Sequence, residues 1–99
     1  MAISPQAREF IDRLGQSHEF EMMVDWARRV APGLRSIEVA LDEATDDMPA
    51  GVVPWTHRDH IGPDDDPTHR SWIDWLAPTF PPEVCQNFVL LTVYRANGR

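Results

Sequence analysis

The sequence predicts an all-α domain: a compact bundle of about five helices, three N-terminal and two C-terminal, with a long Pro/Asp/His-rich loop between them. Three observations carry this. Apolar residues recur at helical spacing from Phe10 to Ala44, periodicity then disappears over residues 46–66, and two more apolar segments, each led by proline, complete the chain.

The first helix is expected over 4–16. Ser4 supplies a capping hydroxyl, Pro5 loses nothing by lacking an N–H in the first turn, and Ala7, Phe10, Ile11 and Leu14 form one apolar face. Gly15 to His18 forms a hinge. The second helix, 19–31, carries Phe20, Met23, Val24, Ala27, Val30 and Ala31, with Met22 and Trp26 on its shoulder. Arg28 and Arg29 suit its C-terminal dipole, and Pro32-Gly33 ends it. A third helix, 34–45, aligns Leu34, Ile37, Ala40, Leu41 and Ala44 and turns Glu38, Asp42 and Glu43 outward.

Residues 46–66 read as loop, punctuated by Pro49, Gly51, Pro54, Gly62 and Pro63. A structureless connection of about 20 residues is uncommon in a compact domain unless it carries function, and Val52, Val53, Trp55 and Ile61 are apolar enough to pin part of it to the core. Asp66-Pro67 starts a fourth helix, 67–77, with Trp72, Ile73, Trp75 and Leu76 before Pro78. Pro81-Pro82-Glu83 opens the fifth, 82–96, where Val84, Phe88, Leu91 and Arg95 align ahead of Gly98. The run Phe88 to Tyr94 is also rich in β-formers, but with no strand partner apparent elsewhere the helix is preferred.

The 99 residues make one domain, 1–99, and 42% hydrophobic with 25% charged residues is the composition of a chain that folds. Sixteen acidic residues face nine arginines and no lysine, for a net charge of −7. That balance argues against nucleic acid and anionic membrane as partners, since both require a basic footprint. One cysteine, Cys85, cannot form an intramolecular disulfide; the N-terminus shows no secretory signal pattern, and no apolar run approaches the roughly 20 residues of a membrane span. A cytoplasmic location is expected.

Chemistry-bearing residues gather in the loop. His57, His60 and His69, with Asp59 and Asp64 to Asp66 nearby, are of metal-ligand type, although their spacing matches no defined zinc signature. His57-Arg58-Asp59 has the letters of the kinase catalytic loop, but that loop requires a pairing lysine and the chain has none. Cys85 lacks a glycine-rich oxyanion turn, and its neighbours Val84 and Phe88 point to a buried thiol; no dinucleotide, Walker or serine-elbow motif is present. No catalytic residue and no cofactor follow from the sequence beyond that one candidate metal set. Of the four tryptophans, Trp26, Trp72 and Trp75 suit a core, whereas Trp55, on a proline-flanked loop, is expected at least half exposed.

The block Phe10-Ile11-Asp12-x-Leu14, with Phe20, Val24, Trp26-Ala27, Pro32 and Ile37-x-x-Ala40, followed by Asp66-Pro67-Thr68-x-Arg70 and the segment from Pro81, resembles a family of small uncharacterised bacterial helical domains. The resemblance implies an all-helical domain whose relatives often occur beside type VI secretion genes. It carries over no catalytic residue. The chain departs from that pattern at Glu38 and Val39, where relatives tend to carry paired tryptophans.

The functional expectation is a non-enzymatic adaptor or accessory domain that binds another protein with a basic or apolar surface, and the resemblance implies an association with a bacterial secretion system. Trp55, His57, Arg58, Asp59 and His60 form its contact surface, and Asp64, Asp65 and Asp66 steer the partner. The alternatives are a metalloprotein built on His57, His60 and His69, and an acidic inhibitor that imitates nucleic acid.

Overall fold

The structure, a computed structural model, describes residues 2–47 and 49–94. Its centre is a four-stranded mixed sheet, which overturns the expected all-helical bundle and with it the fold implied by the family resemblance. Strands β1 (Ala2–Ile3), β2 (Leu34–Asp42), β3 (Gly51–Arg58) and β4 (Leu91–Tyr94) lie side by side in sequence order. Helices α1 (Pro5–Leu14) and α2 (Ser17–Val30) connect β1 to its parallel neighbour β2, and α3 (Thr68–Thr79) and α4 (Pro82–Cys85) connect β3 to its parallel neighbour β4. The antiparallel β2–β3 pair joins these two β-α-α-β halves.

The first two helices form close to where the sequence places them, although α2 begins at Ser17, inside the expected Gly15–His18 hinge, and α1 ends at Leu14. The Ser4 hydroxyl accepts from the Ala7 N–H at 3.1 Å, and Gly15, at φ 69°, closes α1 by donating to Asp12 while Gln16 donates to Ile11. This left-handed cap satisfies two carbonyls at the helix end. Helix α2 buries Phe20, Met23, Val24, Trp26 and Ala27, and its last turn holds an Arg29–Asp25 ion pair at 3.0 Å.

Residues 34–45 are the first correction. Leu34, Ile37 and Leu41 satisfy a helical period, but Ile37, Val39 and Leu41 equally satisfy a period of two, and β-branched Ile37 and Val39 suit a pleated surface. The helical reading left Val39 off the apolar face; it is 3% exposed. The neighbouring strand decides the choice. Residues Ile37 to Asp42 pair one-to-one with Thr56 to Gly51, so much of the expected 46–66 loop is β3. Proline 54 hid this strand because it has no N–H to give a ladder. On the β4 side Val52 exchanges hydrogen bonds with Asn87 and Val89, at 2.7 and 3.0 Å, and regular pairing resumes only at Trp55–Leu91.

The expected 82–96 helix is the second correction: it stops after one turn, α4, and the β-rich run becomes β4. From Phe88 the side chains alternate, with Phe88 and Leu90 buried and Val89, Leu91 and Val93 exposed. Arg95 and Gly98 lie outside the described residues. Helix α3 begins close to its expected position, and the Asp66 carboxylate accepts from the Thr68 N–H at 3.0 Å.

All four helices contribute to one apolar core against one face of the sheet. Ala7 and Ile11, the buried α2 residues Phe20, Met23, Val24, Trp26 and Ala27, Trp72 and Leu76, and Val84 meet Ile37, Val39 and Val52 there. An aromatic cluster ties α2 to α3: Trp26 stacks on Trp75 with centroids 5.2 Å apart and meets Trp72 edge-on at 5.7 Å. Phe80 completes it against Trp75 at 5.5 Å.

Gly33 links the helical layer to the sheet. Its φ is 66°, its carbonyl accepts from the Asp59 N–H at 2.7 Å, and a Cβ at this position would collide with the Asp59 carbonyl. Gly33→Ala is expected to lower unfolding stability by at least about 1–2 kcal/mol from the left-handed backbone alone, read from the denaturant midpoint. The same change at Gly15, whose Cβ would meet nothing within 4 Å, gives the comparison without the collision.

Candidate functional site

Strand alternation divides the expected site residues between two faces. On β3, Thr56 and Arg58 point inward: the Thr56 hydroxyl lies 3.1 Å from that of Thr92, and Arg58 is completely buried. Val53, Trp55 and His57 consequently occupy the opposite face, and the register places Ala40 beside Val53, Glu38 and Leu91 beside Trp55, and Ser36 and Val93 beside His57.

This outer face lies away from the helices. It carries an apolar stripe along β3 and β4, where Val53 and Trp55 run beside Leu91 and Val93, and Val89 extends the alternation upstream. Val89, Leu91 and Val93 are 49%, 36% and 40% exposed, a concentration of large apolar side chains that water disfavours. Trp55 is partly buried, less open than its expected loop position suggested. A shallow cavity of about 180 Å³ beside it is lined by Ala40, Leu41, Asp42, Val53, Trp55 and Leu91. Glu38 and Asp42 border the stripe along β2, and the His57 Nε2 lies 3.4 Å from the Glu38 carboxylate.

The inner face holds a second polar constellation. The Arg58 guanidinium donates from Nη1 to the Pro32 carbonyl at 2.6 Å, and its Nη2 lies 3.2 Å from Asp66 Oδ2. Asp66 accepts from the Tyr94 hydroxyl at 2.9 Å and from both the hydroxyl and backbone N–H of Thr68. Its side chain is 1% exposed. Burial opposes ionisation of this carboxyl, but the Thr68 hydrogen bonds, with those of Tyr94 and the Arg58 charge, outweigh it and hold Asp66 below the usual carboxylate range. Burial lowers the Arg58 pKa against the opposing pull of Asp66, and burial together with Asp66 raises that of Tyr94. The network fastens the end of β3 to the C-terminal end of α2, the start of α3 and the end of β4. The Arg58–Asp66 pair at its centre is closed to solvent, with Tyr94 partly buried at its margin, and the whole acts as a structural clasp.

The expected contact surface is therefore dispersed. Trp55 and His57 share the outer sheet face; Arg58 and Asp66 are interior and unavailable to a partner. Asp59 follows the strand, with Arg35 Nε 3.9 Å from its carboxylate. His60 is exposed in a left-handed conformation at φ 62°, Asp64 and Asp65 lie on an exposed 3-10 turn (Pro63–Asp65), and His69 is exposed on α3. Among the described residues, no three His, Cys, Asp or Glu side chains converge as a metal-binding group, so His57, His60 and His69 are not brought together. Cys85 is partly buried, its thiol 3.5 Å from the Leu76 and Phe80 carbonyls.

Sequence reasoning missed Val89, Leu91 and Val93 as surface residues and Thr68 and Tyr94 as partners of Asp66. The alternation from Phe88 to Tyr94 was the available signal for the first group. Among the described residues no helix is long and apolar enough to cross a membrane. Compared with protein-family models, with curated proteins and with solved structures, the chain matches none.

Proposed function

We propose that this chain is a non-enzymatic interaction domain that holds another protein on the outer face of its sheet, around Trp55. The observation that carries this reading is the outward stripe of Trp55, Leu91 and Val93, continuous with the already buried Val53, on a sheet whose core-forming helices all pack against the other face. Covering such a stripe removes apolar surface from water, and a tryptophan near its centre is the side chain that most often dominates an interface. Of the ionisable groups with shifted pKa values, Arg58 and Asp66 are enclosed and point away from this surface, which favours binding over catalysis as its work.

The test is affinity purification from the chain's own host, with quantitative mass spectrometry on the parent and on Trp55→Ala. A stoichiometric partner should be recovered with the parent and reduced about tenfold or more in the variant. Unfolding stability should change by no more than about 1 kcal/mol, because Trp55 makes cross-strand contacts outside the core cluster. Equal recovery from both proteins would remove Trp55 from the interface.

A further inference from the structure

We infer that the occupant of the outer sheet face is a basic amphipathic helix of a partner protein, seated along β3 and β4; this rests on the interaction-domain reading above. The first support is charge. The outward residues of the three longer strands are Ser36, Glu38, Ala40 and Asp42 on β2, Val53, Trp55 and His57 on β3, and Leu91 and Val93 on β4. They include two carboxylates; the one arginine nearby, Arg35, is exposed at the bulge before Ser36 and lies 3.9 Å from the Asp59 carboxylate, at the end of the hairpin away from Asp42. The β2–β3 connection adds Glu43, Asp46 and Asp47, all exposed, to the same end of the hairpin as Asp42. An apolar stripe bordered on one side by carboxylates is complemented by an apolar stripe bordered by Lys or Arg.

The same charges disfavour a second copy of the chain. Two like faces would bring carboxylates of one near those of the other, between molecules that each carry a net −7.

Shape is the second support. Val89 to Val93 spans about 13 Å at the rise of a strand, between two and three turns of a helix, and strands β2 to β4 together are about 10 Å wide, the diameter of one helix. Strand β3 itself is apolar on both faces over Val52, Val53, Pro54 and Trp55, the pattern of a strand covered on both sides. The chain's own helices cover only the inner side. A partner helix on the outer side would complete a three-layer arrangement around the parallel β3–β4 pair.

Site-specific photocrosslinking in the host tests this, with p-benzoylphenylalanine placed in the full chain at Val89 or Val93, which leaves Trp55 intact, and at Ile73 on α3 as the exposed apolar control. The expected result is a crosslink from both face positions at about tenfold the control yield. The captured peptide should have apolar residues at i, i+3, i+4 and i+7 flanked by Lys or Arg. Its yield should fall several-fold when Glu38→Arg and Asp42→Arg are combined, because repulsion replaces attraction. A captured segment that is acidic or strand-patterned, or a yield indifferent to the charge reversal, overturns the basic helix while leaving the docking face in place. A crosslink to the same chain assigns the face to a second copy and also overturns it. Yields at Val89 and Val93 no higher than at Ile73 overturn both the helix and the interaction-domain reading.

Discussion

Asp66→Ala is expected to lower unfolding stability by about 3–5 kcal/mol, because it leaves the fully buried Arg58 guanidinium without its counter-charge. A domain of this size has about 5–15 kcal/mol in total, so the variant should unfold at a much lower denaturant concentration and show a small folded baseline. Part of the loss is the orphaned charge and part is the loss of the acceptor for Tyr94 and Thr68. The double variant Arg58→Met with Asp66→Leu separates these. It removes both charges, fills similar volume and should recover a substantial part of the single variant's loss, because desolvating an ion pair costs nearly as much as its attraction returns. A double variant as unstable as Asp66→Ala would mean that the hydrogen bonds to Pro32, Thr68 and Tyr94, and not charge balance, hold the clasp.

The same site has a pH signature. The carboxyl of Asp66 is held below its unfolded value, so its contribution is complete above about pH 4, the ordinary value of an aspartate, and is lost as the pH falls through the lower folded value. Tyr94 is shifted upward, so the neutral phenol favours folding below about pH 10 and that contribution is lost at higher pH. Urea titrations of the parent and of Asp66→Asn from neutral pH to about pH 2 measure the acid limb, and their difference should shrink as Asp66 protonates. A constant difference across that range would exclude an ionised, stabilising Asp66.

Trp72→Ala should cost a comparable amount, about 3–5 kcal/mol. Trp72 is 3% exposed and meets Trp26 and Trp75, at 5.7 and 5.9 Å between centroids, so truncation opens a cavity where α2 and α3 join. Trp75→Ala should cost less, since Trp75 is only partly buried. Near-ultraviolet circular dichroism gives an independent reading, because coupled indoles produce signals that vanish when the cluster is broken. If Trp72→Ala unfolds with the parent's midpoint, the aromatic cluster does not hold the two helices together. Trp55→Ala is the contrasting case, with little stability lost and binding reduced.

The chain's own residues settled several elements before any tertiary contact was considered. Ser4-Pro5, the apolar stripes of α1 and α2, Gly15 and Pro32-Gly33 are local signals: a cap, a period of 3.6 and residues that accept positive φ or refuse to continue a helix. The burial of Trp26 and Trp72 followed from the preference of tryptophan for a core, although Trp26 stands on the shoulder of the α2 stripe and Trp72 on α3.

Only the tertiary structure decided residues 34–42 and 88–94. Leu34, Ile37 and Leu41 satisfy two periods at once, and a strand exists only when another strand offers its N–H and C=O groups. That partner was β3, where Pro54 interrupts the local signal, so the hairpin could not be recognised from either strand alone. Once β3 exists, β4 has an edge to join, and the β-rich run after Phe88 takes it in place of a longer α4. The site followed the fold. Trp55, His57, Arg58 and Asp66 are close in sequence and share one polar stretch, but the two-residue alternation of β3 sends Trp55 and His57 outward and Arg58 inward to meet Asp66. Residue type and order establish which groups are present, whereas strand pairing determines which of them face a partner and which hold the interior together.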